Sequence, residues 1–156
     1  MAITIREADL ADPAEGEGLV EILDSYARGP GGQNAPLAAE VRARLITGLR
    51  AHPTALPLLA FSGTRVVGAA VCVWGYSTFA ARPLLNIHDF VVLPEFRGQG
   101  IGRRLLDDVE RRARERGCCK VTLEVHESNE GAKRLYRDVG FGPWDSPTFF
   151  VSKMLT

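Results

Sequence analysis

An apolar run, "LLNIHDFVVL" (Leu84–Leu93), is stopped by Pro94 and followed at once by "RGQGIG" (Arg97–Gly102) and a basic, leucine-bearing segment. That succession constrains the fold more than any other stretch. Leu84–Leu93 has the length and composition of a strand covered on both faces, and a central strand does not readily carry the proline that ends it. Ile101, Leu105, Val109 and Ala113 then recur every fourth residue with Leu106 beside them, while Arg104, Asp107, Asp108, Arg111, Arg114 and Glu115 fill the remaining faces. The spacing predicts an amphipathic helix that ends at Gly117. Strand, glycine turn and helix in that order are a building unit of α/β domains.

The rest of the chain fits around this unit. "ITIREA" alternates as an opening strand, and Asp12-Pro13 offers a helix start before Leu19, Ile22, Leu23 and Tyr26. "RGPGGQNAP" (28–36) reads as loop, and a second helix follows with Val41, Leu45, Ile46 and Leu49 as its apolar face, ended by His52-Pro53. "LPLLAFSGTRVVGAAVCVWGY" reads as two strands joined at Ser62-Gly63-Thr64. "KVTLEVH" is another strand, Ser128 or Asn129 caps a helix bearing Ala132, Leu135, Tyr136 and Val139, and "PTFFVSKML" supplies a last strand. The expected order is β-α-α-β-β-β-α-β-α-β-β, a single domain over residues 1–156 built on a mixed sheet.

Several function classes lose support at this level. Nineteen basic and nineteen acidic residues cancel, which gives no global attraction to nucleic acid or an anionic membrane. "RRARER" (111–116) is interleaved with glutamate and reads as a solvated helix face. The apolar stretch Val66–Tyr76 is too short and glycine-interrupted to span a bilayer, and "MAITIREADL" lacks the regions of a signal peptide. Cys72, Cys118 and Cys119 are odd in number, with no metal-ligand spacing, so the expectation is a reduced cytoplasmic protein without a metal site.

The glycine turn suits phosphate. A helix start leaves backbone N–H groups unpaired and carries partial positive charge, and glycines at 98, 100 and 102 keep Cβ atoms out of the way. Arg97 and Arg103 add guanidinium donors. The nucleotide P-loop is excluded because no Lys-Ser/Thr pair follows the glycines, and the dinucleotide fingerprint has a different glycine spacing and follows a first strand.

"HDFVVLPEFRGQGIGRRLL" together with "NEGAKRLYRDVGF" downstream resembles the two-part cofactor signature of the GNAT N-acyltransferase superfamily, over roughly Ile87 to Phe141. The resemblance implies a GNAT-like fold with a central mixed sheet of six to seven strands and four helices. It implies acetyl-CoA as co-substrate, with its pyrophosphate on the backbone of Arg97, Gly98, Gln99, Gly100, Ile101 and Gly102, near Arg103. The pantetheine arm would pair with Phe90, Val91 and Val92, and Asn129 would contact it. Tyr136 matches the residue that hydrogen-bonds the thioester sulfur and acts as general acid. The acceptor would be an amine of a small molecule or peptide, acetylated by direct attack in a ternary complex, and homodimers are common in the family.

The general base stays open among His88, Asp89, Glu124 and Glu127. Trp74, Tyr76 and Phe79 read as core or as a wall of the acceptor pocket. The rival reading is a non-catalytic acyl-CoA-binding module on the same fold, which needs neither Tyr136 nor a base.

Overall fold

The computed structural model describes residues 2–155. Its elements are β1 (Ile3–Glu7), α1 (Pro13–Arg28), α2 (Ala39–Ala51), β2 (Ala55–Ser62), β3 (Arg65–Ser77), β4 (Arg82–Val92), one 3-10 turn (Pro94–Phe96), α3 (Ile101–Glu115), β5 (Val121–Leu123) and α4 (Glu130–Asp138). The strands form one sheet in sequence order. Neighbours from β1 to β4 are antiparallel, and β5 joins β4 in parallel.

The sheet separates two apolar layers. On one face α3 contributes Ile101, Leu105, Leu106, Val109 and Ala113, which meet Leu58, Ala60, Val67, Leu85 and Ile87 of the strands and Tyr136 of α4. On the other face Leu19 and Ile22 of α1 meet Leu59, Phe61, Ala69, Val71 and Val91. Covering on both faces explains why β2, β3 and β4 read as nearly unbroken apolar runs. Helix starts fall where the caps were expected: Asp12 accepts from the Ala14 N–H, and Asn129 from the Ala132 N–H.

Two carboxylates fix α1, which overhangs the end of β4. Glu15 accepts both guanidinium nitrogens of Arg6 and the Asp9 N–H at 2.7 Å. Asp24 accepts Arg28 Nε and the Leu37 N–H, each at 2.8 Å, and pairs with Arg42 at 3.2 Å, so the loop after α1 and the start of α2 are tied back to α1. The arginines hold both carboxyls below their ordinary range by hydrogen bonding.

Three expectations need correction. No strand follows α4 among the described residues: the sheet has five strands rather than six to seven, and residues 139–155 are turn and coil. A strand needs a partner edge, and "PTFFVSKML" lies away from β5 with its side chains in solvent. The second helix is only lightly attached, because Ile46 and Leu49 pack on the core while Val41 is exposed. Of the three aromatics Trp74, Tyr76 and Phe79, only Trp74 packs against the core. Tyr76 and Phe79 stand exposed at the β3–β4 turn, about 30 Å along the strands from the other end of β4.

Glu15→Gln is expected to lower stability by about 1 kcal/mol at pH 7, the loss being modest because Arg6 is half-exposed. A carboxyl with a depressed folded pKa contributes stability above its unfolded value and loses it as pH falls. The gap between wild type and variant in urea denaturation should therefore close below about pH 4.

Candidate active site

β4 and β5 pair over three residues only, Leu85–Ile87 against Val121–Leu123, with Asn86 Nδ2 donating to Thr122 Oγ1 at 2.9 Å. Beyond that point the strands part. From His88 onward β4 keeps β3 on one side and has no strand on the other, while the chain after Leu123 leaves for α4. Phe90, Val91 and Val92 thus line a slot with one bare backbone edge.

A bulge sits where the strands part. Val71 faces Asp89 and Cys72 faces Ile87, so His88 has no cross-strand partner. The extra residue shifts the alternation of β4 by one. Leu85 and Ile87 point to the α3–α4 face, and after the bulge Phe90 and Val92 do so again. Asp89 is thereby sent to the α1 face with Val91.

At the end of β4 the chain makes its 3-10 turn and enters the glycine loop. Gly98 and Gly100 have φ of +75° and +81°, which any other residue would adopt only with strain. A Cβ on either would meet nothing within 4 Å, so both open onto free space. Gly102 is different: a Cβ there would lie 3.1 Å from Leu135 Cδ2, so this glycine lets α3 approach α4. No N–H from Gly98 to Arg103 has an acceptor within the described residues, and Gly100 supplies no side-chain cap to α3. The Arg97 N–H differs from expectation, because it donates to the Pro94 carbonyl. Its Nε donates to the Val92 carbonyl at 3.0 Å, leaving the rest of an exposed guanidinium beside the loop. These N–H groups and open glycines fit a pyrophosphate, and the bare edge of β4 fits an amide-bearing arm.

Tyr136 of α4 stands on the α3–α4 side of the slot. It is 5% exposed and held edge-on between Phe90 (centroids 5.9 Å apart) and Phe141 (5.7 Å). Its hydroxyl makes no hydrogen bond among the described residues, and no sealed side-chain polar atom there lacks a partner, so that oxygen retains some contact with solvent. Burial pushes the phenol up to about 12, with Tyr26 contributing. The group is therefore a neutral donor at pH 7.

Asp89 is half-buried on the α1 side, also without a side-chain hydrogen bond among the described residues. Burial raises its carboxyl, and the neighbouring His88 partly offsets the rise. Tyr26 of α1 is near enough to feel Asp89: burial raises its phenol and Asp89 adds to the effect. Tyr26 of α1 thus lies near enough to both Asp89 of β4 and Tyr136 of α4 for their charges to interact. Tyr26 escapes sequence reasoning because it continues the apolar stripe of α1. His88 is exposed beside Asp89, and Glu124, Glu127 and Asn129 are exposed on the β5–α4 connection. Asn129 spends its carbonyl oxygen on the helix cap. Cys72 is buried and raised to about 12, an inert thiol, and Cys118 is also raised by burial.

A sheet split beside an uncapped helix start defines an α/β domain shaped for an extended, phosphate-bearing ligand. Residues 18–141 match the sequence profile described as the acetyltransferase (GNAT) family, and the chain belongs to that family. Thialysine N-epsilon-acetyltransferase of Bos taurus is 37% identical over 78 residues, which are 50% of this chain and 45% of that protein. N-alpha-acetyltransferase MAK3 of Arabidopsis thaliana is 37% identical over 86 residues, 55% of this chain and 44% of that one. The matched part spans under half the length of these relatives. The solved structure of a ribosomal-protein-alanine N-acetyltransferase from Brucella melitensis biovar Abortus 2308 superposes with a TM-score of 0.79 over 98% of this chain and 100% of that one, and at 20% identity it shows the fold.

Two stability outcomes follow. Gly100→Ala should cost about 1 kcal/mol in urea denaturation, because alanine must enter the left-handed region. A carboxyl whose folded pKa is raised costs stability once pH exceeds its unfolded value. Asp89→Asn should therefore raise the denaturation midpoint at pH 7, the gain vanishing near pH 4.

Proposed function

We propose that this chain moves an acetyl group from acetyl-CoA to a primary amine of a small molecule or peptide, by direct attack in a ternary complex. One observation carries the reading: Tyr136 and Asp89 stand on opposite sides of β4 where no strand covers its edge, each with a polar group that no described residue hydrogen-bonds. When bound, acetyl-CoA supplies an activated thioester. The N–H groups of Gly98–Arg103, with Arg97 and Arg103, hold its pyrophosphate, and Phe90, Val91 and Val92 pair with its pantetheine arm. Asn129, whose Oδ1 caps α4, would contact that arm through its Nδ2.

The division of labour follows from the two faces. The amine enters from the α1 side, where Asp89 accepts its proton as the N–C bond forms and the nitrogen becomes strongly acidic. Burial makes this carboxylate a better base than an exposed one, and it is preferred over exposed His88, which tunes its charge. Tyr136, on the α4 side, would donate a hydrogen bond to the leaving sulfur. Handing over that proton outright would be uphill by about 5 kcal/mol, given a phenol near 12 and a thiol near 8.5. Tyr136 therefore stabilises developing charge on sulfur. The relatives' names, with N-epsilon and N-alpha acetylation, support nitrogen as the acceptor atom. Three free cysteines suit a reducing cytoplasm.

The test is thiol release from acetyl-CoA across a panel of amines, amino acids and peptides. Turnover with at least one amine is expected, with Tyr136→Phe lowering kcat about 10²-fold and leaving KM for acetyl-CoA nearly unchanged. Tight CoA binding without turnover on any acceptor would favour the non-catalytic module instead.

A further inference from the structure

The connection between α3 and β5 holds two cysteines side by side, and neither takes part in the chemistry of the cleft. Gly117, at φ +76°, turns the chain after α3. The Cys118 N–H then donates to the Ala113 carbonyl and the Cys119 N–H to the Pro83 carbonyl, each at 2.9 Å. Arg82 closes the same turn from β4, donating to the Gly117 and Cys118 carbonyls at 3.1 and 3.2 Å. The backbone of the pair is therefore fixed by α3 on one side and by β4 on the other. Both cysteines are partly exposed free thiols, and both line one groove of about 300 Å³ beside β5. Val109 and Ala113 of α3 and Val121 of β5 give that groove an apolar wall. Its charged members are Glu110 and Arg114, paired with each other at 2.7 Å, and Lys120.

Two neighbouring thiols on one wall suit a ligand that takes both sulfurs at once. A disulfide between adjacent residues must close a small ring against the planar peptide and the preferred S–S dihedral. A single soft atom bridging the two sulfurs enlarges that ring and removes the S–S constraint. Burial raises the Cys118 thiol, and the nearness of Cys119 adds to the rise. Among the described residues no group of three or more His, Cys, Asp or Glu side chains could hold a metal ion, so the pair acts alone. We propose that Cys118 and Cys119 form a binding site for trivalent aryl arsenicals, with arsenic bridging the two sulfurs and the aryl ring on the apolar wall of the groove. With phenylarsine oxide, two S–H bonds and the As–O bond break, two As–S bonds form and one water leaves. Arsenic stays trivalent throughout, so the step needs no oxidant or reductant. Cys72 does not compete, because it is fully buried in β3. The pair precedes the short β4–β5 pairing and so lies outside the slot that opens beyond it.

The test is binding of phenylarsine oxide to the folded chain, read by native mass spectrometry. One phenylarsenic group per chain is expected, kept against a large excess of a monothiol and stripped by a small dithiol, because only two linked sulfurs match the chelate. Cys118→Ser and Cys119→Ser should each weaken binding about 100-fold, since a single thiol cannot bridge. The far-ultraviolet spectrum checks that each variant folds, and the monothiol competition on the wild-type chain stands independently of the variants. The proposal is overturned by a wild-type chain that takes up no arsenical, by an adduct that the monothiol removes, or by an adduct that neither substitution weakens.

Discussion

The rest of the molecule depends on the parting of β4 and β5 after Ile87 and Leu123. Up to that pair the sheet is continuous, and beyond it one edge of β4 has no strand beside it. The bulge at His88 lies at the same level and reverses the alternation of the strand. An unbulged strand would place Asp89 with Leu85 and Ile87 on the α3–α4 face. With the bulge, Asp89 joins the α1 layer and Phe90 takes the position beside Tyr136. One inserted residue therefore gives the slot chemically different walls, a carboxylate on one and a phenol on the other.

The glycines after β4 divide their work in a way that composition does not reveal. Gly98 and Gly100 take backbone angles that favour glycine and face open space, whereas a Cβ at Gly102 would crowd the Leu135 side chain of α4. The same helix start therefore presents unpaired N–H groups outward and packs Leu135 and Phe90 inward. Most of the paired charges on α3 find their partners within the helix, and Arg112 also reaches Glu7 of β1. Arg111 and Arg112 pair with Asp108, Arg114 pairs with Glu110, and Arg116 lies over Trp74. This agrees with reading "RRARER" as a solvated face.

Legibility in the sequence followed the physics of each signal. The helices announced themselves through period, caps and terminal glycines, as at Asp12, Asn129 and Gly117, because these are local effects. β2 to β4 were legible as buried strands but not in their facing: when both faces are covered, every position is apolar and a bulge leaves no mark. Tyr26 was hidden for a related reason, since an aromatic on an apolar stripe looks like core. The tail was read as a strand from its composition, but pairing is not a local property, and among the described residues the tail forms no strand. The glycine loop and the downstream tyrosine motif were legible as a pair, and the family match over residues 18–141 agrees with them.

The electrostatics of the cleft follow from the same layout. Burial without hydrogen-bond partners raises both Asp89 and Tyr136, which makes one a stronger base and the other a poorer acid but still a donor. On the proposed reading, acceptor and leaving group occupy opposite faces of β4. A crystal structure with bound coenzyme A tests this most directly. The account predicts the pyrophosphate on the N–H groups of Gly98–Arg103 and the sulfur within about 3.5 Å of the Tyr136 hydroxyl, on the α4 side of the slot. A sulfur lying on the α1 side beside Asp89, or a coenzyme bound away from the glycine loop, would contradict it.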